Sequence, residues 1–219
     1  MTRLNFADQP HDIWIVAETR NGQLTPLTKE LVYGARMSAD MMGFYVKVAL
    51  LGSNVSELAA ELFPVGADRV YVIDSMHLEN FSSDVGAHAL SELFAVQSPE
   101  FVLFGSTLIG NSVAPRLAQR FGAGLISNCI SLKVDDFDRC FIGRRNVYGG
   151  EYYEVMSTAG AKSHFATVLP DTFGEPFPDA SRYGEVEQIE IDLNTIEVKT
   201  KTLGSTPYEL PHKKLKQAR

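Results

Sequence analysis

Phe101-Val-Leu-Phe-Gly105-Ser-Thr-Leu-Ile-Gly110-Asn-Ser-Val-Ala-Pro-Arg116-Leu-Ala-Gln-Arg120-Phe-Gly122 is the stretch on which the fold turns. Its opening apolar run is too short for a helix, stops at Gly105 and reads as a buried strand. Ser106 and Thr107 make a polar turn able to cap a helix starting just after them. Val113, Leu117, Ala118 and Phe121 then recur at helical spacing until Gly122 ends the helix. In an open α/β sheet such a corner lies at the carboxyl end of a strand, where ligands usually sit.

The residues upstream repeat the same alternation. Ile13–Ala17 reads as a first strand leading into Glu18, and Asn21-Gly22 as a turn. Thr25-Pro26 looks like an N-cap with proline at the first helical position, opening a helix that Gly43 stops. Tyr45–Leu51 is a second strand running into Gly52-Ser53-Asn54, and Asn54 with Glu57 resembles a capping box for a short helix ending before Pro64. Arg69–Ile73 is a third strand and Asp84–Gln97 a third helix. Strands alternating with helices imply βαβ units with right-handed crossovers. The fold class expected is therefore α/β, a three-layer parallel sheet of the Rossmann-like type.

After Gly124 the pattern changes. Residues 125–134, 140–148, 152–157 and 164–169 are short β-prone runs separated by turn residues, which suggests hairpins added to the sheet edge. From Pro170 to Gly184 the composition turns to Pro, Gly and acids, as in a linker or surface arm. Residues 185–193 and 195–203 each read as a possible strand before a basic tail from His212. The division expected is a domain over 1–171, then a linker, terminal strands and tail over 172–219.

A chain of 219 residues can bury a real core, and 45% hydrophobic with 21% charged residues is ordinary for a globular protein. A formal net charge of -7 argues against nucleic acid or an anionic membrane as partner. No apolar run is long enough to span a bilayer, and Met1–Asn5 lacks a signal-peptide core. Cys129 and Cys140 lack metal-ligand spacing and read as reduced thiols of a cytoplasmic protein, or of the mitochondrial matrix in a eukaryote.

Gly105 to Ser112 has the glycine spacing of a phosphate-binding loop, with Asn111 in place of its lysine. A helix N-terminus offers an anion about 0.3–1 kcal/mol in ordinary settings, whereas desolvating a charge costs several kcal/mol. A nucleoside triphosphatase is therefore not expected. The candidate nucleotide contacts are Glu18, Gly52, Ser53, Gly105, Ser106, Thr107 and Gly110, with AMP the possible ligand. The competing reading is a glycine corner kept for tight strand–helix packing. No H-E-x-x-H, G-x-S-x-G or paired-carboxylate pattern occurs and the histidines are scattered, so neither catalytic nor metal-binding residues are assigned and no stand-alone catalysis is expected. Arg144-Arg145-Asn-Val-Tyr148-Gly149-Gly150 places two arginines on opposite faces of one strand. Arg145, Tyr148, Gly149 and Gly150 are the candidate partner contacts.

Taken together these segments resemble the N-terminal domain of the electron-transfer flavoprotein α subunit. Ile13–Glu18 with Gly22-Gln-Leu24 looks like that family's first strand and loop, and Gly66-Ala-Asp-Arg-Val-Tyr71 like its "GADKVY". Phe104–Gly110 with Ala114-Pro-Arg116 is similar to its "FGATSIGRDLAPR", Gly122–Leu125 to "GTGL", Tyr148-Gly149-Gly150 to "Y/FGGN", and Ala166–Pro170 to "ATVRPG". The resemblance covers roughly residues 12–171. It implies an adenine-nucleotide α-hydrolase-like fold and a scaffold role beside a β-type subunit. It also implies AMP held by that partner, FAD held mainly by a separate C-terminal domain, and an acyl-CoA dehydrogenase-like electron donor. The family's Arg-Asp after the second glycine is Asn111-Ser112 here, its Asn after Gly-Gly is Glu151, and no "SGGRG" flavin motif occurs. The chain thus reads as a fragment of a longer α subunit or as a divergent relative without the flavin-holding half. The alternatives are an adenine-nucleotide (AMP/ATP) sensor built on the Gly105 corner and the Gly52 loop, or a homodimeric platform.

Overall fold

A computed structural model describes residues 11–79, 81–135, 137–194 and 196. The first half follows the alternation. Strand β1 (Asp12–Ala17) leads through the small ribbon β2 (Thr19–Arg20) and β3 (Gln23–Leu24) into helix α1 (Pro26–Met42). Thr25 caps α1 through its side chain and Gly43 ends it in the left-handed region at φ 70°. Strand β4 (Tyr45–Gly52), a 3-10 segment (Ser56–Leu62), strand β5 (Arg69–Asp74), helix α2 (Ser83–Gln97), strand β6 (Phe101–Gly105) and helix α3 (Leu108–Phe121) come next. The second half adds β7 (Gly124–Cys129), β8 (Ser131–Asp135), β9 (Cys140–Val147), β10 (Tyr152–Ser157), β11 (His164–Val168) and β12 (Glu185–Gln188).

Seven strands form one parallel sheet in the order β12-β5-β4-β1-β6-β11-β7. On one face α1 and the 3-10 segment cover Ile13, Ile15, Val48 and Leu50; on the other α2 and α3 cover Trp14, Val102, Phe104 and Phe165. These are the three layers expected. Trp14 stacks on Tyr71 at 4.8 Å between ring centroids and meets the edge of Phe94 at 5.6 Å. Each such fully buried large side chain stabilises the fold by about 1.5–3 kcal/mol relative to exposure. Among the described residues no helix is long and apolar enough to cross a membrane. Both cysteines are buried and free, and burial pushes the Cys129 thiol up to about 11 despite the nearby Arg145, so it stays protonated and inert at neutral pH.

The expectation of edge hairpins holds for only part of the second half. β8, β9 and β10 do form an antiparallel sheet of their own. The run at 125–134, however, is two strands, and β7 and β11 both join the parallel sheet, β11 lying between β6 and β7. All five residues of β11 are buried, which is the signature of a strand covered on both faces; turn spacing alone does not carry that information. The expected capping box at Asn54 and Glu57 is also absent. Asn54 sits at φ 57°, and the cap comes across the sheet from Asp74 at the end of β5. The segment it caps is a 3-10 helix.

After β11 the chain crosses α1. The buried carboxylate of Glu30 accepts from the amides of Asp171 at 3.0 Å and Phe173 at 2.8 Å, and the Phe173 ring lies on Gly34. β12 then pairs with the outer edge of β5. Residues 189–194 form no strand, and the reading of a strand at 195–203 and of a basic tail falls, apart from Ile196, outside the described residues.

Candidate functional site

The chain runs from β1 outward through β4 to β5 and then returns to the other side of β1 as β6, so the direction of winding reverses between β1 and β6. At the carboxyl ends of such strands a crevice opens. Here it is a cleft of about 430 Å³ lined by the ends of β1 and β4, the loop leading into α2 and the first turns of α3. That volume falls in the range of about 300–1,000 Å³ found for small-molecule sites.

Four of the residues singled out from the sequence line this cleft: Glu18, Gly52, Ser53 and Gly110. Three at the same corner do not. Gly105 lies behind it, where a Cβ would come within 2.8 Å of Leu27 and 3.3 Å of the Glu18 carboxylate. Ser106 turns away, donating its amide to the Val168 carbonyl and its hydroxyl to Asn128. Asn111, in the position of the missing lysine, also points to Ser106 and Asn128. Thr107 is used locally: its hydroxyl accepts from the Gly110 amide at 2.9 Å and donates to Glu18 Oε1 at 2.7 Å. Gly110 is required by close approach, since a Cβ there would sit 1.9 Å from the Gly105 carbonyl oxygen.

The second loop is closed in the same way. Asp74 accepts from the amides of Asn54 (2.7 Å), Val55 (2.9 Å) and Ser56 (3.1 Å) and from the Ser56 hydroxyl (2.8 Å). Burial raises the Asp74 carboxyl, but these four donors outweigh it and hold the group below the usual carboxylate range. Burial raises the Glu18 carboxyl above that range, against the opposing hydrogen bonds from Thr107 and the Gly110 backbone. One loop therefore gives its amides to the Asp74 carboxylate, and at the other corner the Gly110 amide goes to the Thr107 hydroxyl, which itself donates to Glu18. Sequence reasoning missed Asp74; its signal was an acid at the end of a strand beside a loop rich in small polar residues.

The candidate partner residues lie elsewhere, on the antiparallel arm. Arg145 faces inward, donating to Glu154 at 2.7 Å and to Ser127 at 3.2 Å. Arg144 faces outward and lies 4.6 Å above the Tyr153 ring. Tyr148 is 81% exposed at φ 50°, followed by Gly149 and Gly150 at φ 69° and 97°, and its ring meets Tyr152 edge-on. The arm thus carries an exposed aromatic group, Tyr148, Tyr152 and Tyr153, of which the sequence reading named only the first.

A doubly wound parallel sheet with its crevice at the switch point and an antiparallel arm of three strands defines an α/β domain of the doubly wound class. The Electron transfer flavoprotein domain matches residues 13–194, and the chain belongs to that family. It is 36% identical over 193 residues to the electron transfer flavoprotein subunit alpha of Thermoanaerobacterium thermosaccharolyticum, a match covering 88% of this chain and 58% of that protein. The corresponding subunit of Clostridium acetobutylicum is 31% identical over 200 residues, covering 90% and 59%. A subunit of the lactate dehydrogenase (NAD(+),ferredoxin) of Acetobacterium woodii is 31% identical over 180 residues, covering 82% and 43%. The chain therefore spans less than two thirds of the length of these curated relatives. The resemblance read from the motifs and the family found by comparison agree.

Proposed function

We propose that this chain serves as the base of a flavin-based electron carrier, an α-type domain that packs against a β-type subunit. The observation that carries this reading is the family match over residues 13–194, with relatives named as α subunits. In this reading the flavin is held outside the described cleft. FAD carries a pyrophosphate, and a crevice lined by the carboxylates of Glu18 and Glu79 presents charge of the wrong sign to it. The electrons come from an acyl-CoA dehydrogenase-like donor in the cytoplasm, and residues 172–188 act as the strap that closes the domain.

The partner surface is the antiparallel arm. The Tyr148-Gly149-Gly150 turn presents an exposed aromatic side chain on a backbone held in left-handed conformations, and tyrosine and arginine are the residue types that anchor protein interfaces. Arg145 stands behind the turn and holds it through Glu154. Sedimentation velocity of the chain mixed with a purified β-type subunit tests this. A heterodimer is expected, weakened about tenfold or more by Tyr148→Ala, as for an interface anchor worth more than about 1.4 kcal/mol. Self-association in place of the heterodimer supports the platform reading, and no association with the β-type subunit overturns the proposal. A purified chain carrying stoichiometric flavin by itself contradicts the location given to the cofactor.

A further inference from the structure

The cleft at the switch point is open, of ligand size and unused by the scaffold role. Its charged groups have one sign. Glu18 and Glu79 both line it, and among the described lining residues there is no lysine, arginine or histidine. The amides of Asn54, Val55 and Ser56 are engaged by Asp74, and that of Gly110 by Thr107. Only one oxygen of the Glu18 carboxylate is taken, by the Thr107 hydroxyl, and Oε2 makes no hydrogen bond to a described residue. The other walls are apolar, with Leu51, Leu78, Phe81, Phe104 and Ile109 prominent.

We infer that this cleft is a binding site for an uncharged purine nucleoside or its base, and that it discriminates against the phosphorylated form. An exocyclic amine donates to Glu18 Oε2, and a flat apolar ring system covers the aromatic and aliphatic wall. A 5′-phosphate brings a dianion beside two carboxylates in a partly desolvated crevice, where like charges repel strongly and no cation compensates. The site therefore inverts the usual preference of a doubly wound fold, which binds its ligand through the phosphate. It also narrows the adenine-nucleotide reading drawn from the glycine spacing: the corner keeps the shape of a nucleotide site and has lost the charge of one.

Isothermal titration of the full chain with adenosine, AMP and ATP tests the inference. Adenosine is expected to bind, and AMP and ATP to bind at least about tenfold more weakly, which is about 1.4 kcal/mol. Equal or tighter binding of AMP overturns the discrimination, and absence of adenosine binding overturns the site. The rank order on the unmodified chain decides this without any variant. Glu18→Gln then assigns the binding to the cleft. The amide can still accept from Thr107 but turns a donor toward the ligand, so adenosine affinity should fall by about tenfold; unchanged affinity removes the cleft from the proposal. These titrations use the chain alone, so their failure and a failure to bind a β-type subunit are separate results.

Discussion

At the scale of single residues, the corner between β6 and α3 is where packing and chemistry compete for the same atoms. Gly110→Ala puts a methyl group 1.9 Å from a backbone oxygen that no rotamer change can move. The helix must lift from the sheet, a loss of about 1–3 kcal/mol or more by the measure of overpacked cores, read as a lower melting temperature. Glu18 gives a pH-dependent prediction. Its folded pKa is raised by burial, so its share of stability is fully present below the unfolded value of 4.5 and is lost as the pH rises through the folded value. Glu18→Gln removes that loss, and its melting temperature should pull ahead of the parent's as the pH is raised above 4.5. A constant gap across the range would contradict the burial of the charge. Asp74 behaves in the opposite sense. Its folded pKa is depressed, so its contribution is present above the unfolded value of 3.8 and disappears as the pH falls below it. Asp74→Ala should cost about 0.5–2 kcal/mol at neutral pH, as loss of a helix cap does, and much less in acid.

Between elements, the contact most open to test is the strap over α1. Glu30 is buried on a helix and spends both carboxylate oxygens on backbone amides of residues 171 and 173. Glu30→Ala leaves those amides without their partner, at a cost of about 1–3 kcal/mol. Hydrogen exchange should accelerate at Asp171 and Phe173 before it does in the strands beneath. The elements also mark how far the sequence could be read. The first half was legible because each strand is a short apolar run and two of its helices, α1 and α3, carry their own start and stop residues: Thr25-Pro26, Gly43, Thr107 and Gly122 all do what their chemistry suggests. β11 was legible as a strand and illegible as a central one, because a run of five residues after a turn does not reveal that its partners are β6 and β7 on either side. Asp74 and Glu30 were invisible as functional groups because their partners are 18 to 20 and about 141 to 143 positions away. The candidate site was legible as a place, the corner at the switch point, but its charge balance depended on those distant partners.

For the molecule as a whole, the parallel sheet is centred on β1, which lies between β4 and β6 and whose Trp14 stacks on Tyr71. Trp14 is the only tryptophan, so its fluorescence reports unfolding of this central layer directly. Yet the sheet of the first half is not finished by the first half. The outer edge of β6 is covered by β11, and the outer edge of β5 by β12, both from the last third of the described chain. During synthesis, the nascent chain must wait with two rows of unpaired amides and carbonyls until residues 164–168 and then 185–188 have left the ribosome. Translation stalled in that interval would release a product with two adhesive borders, which gives the protein a window of dependence on chaperones written into its strand order.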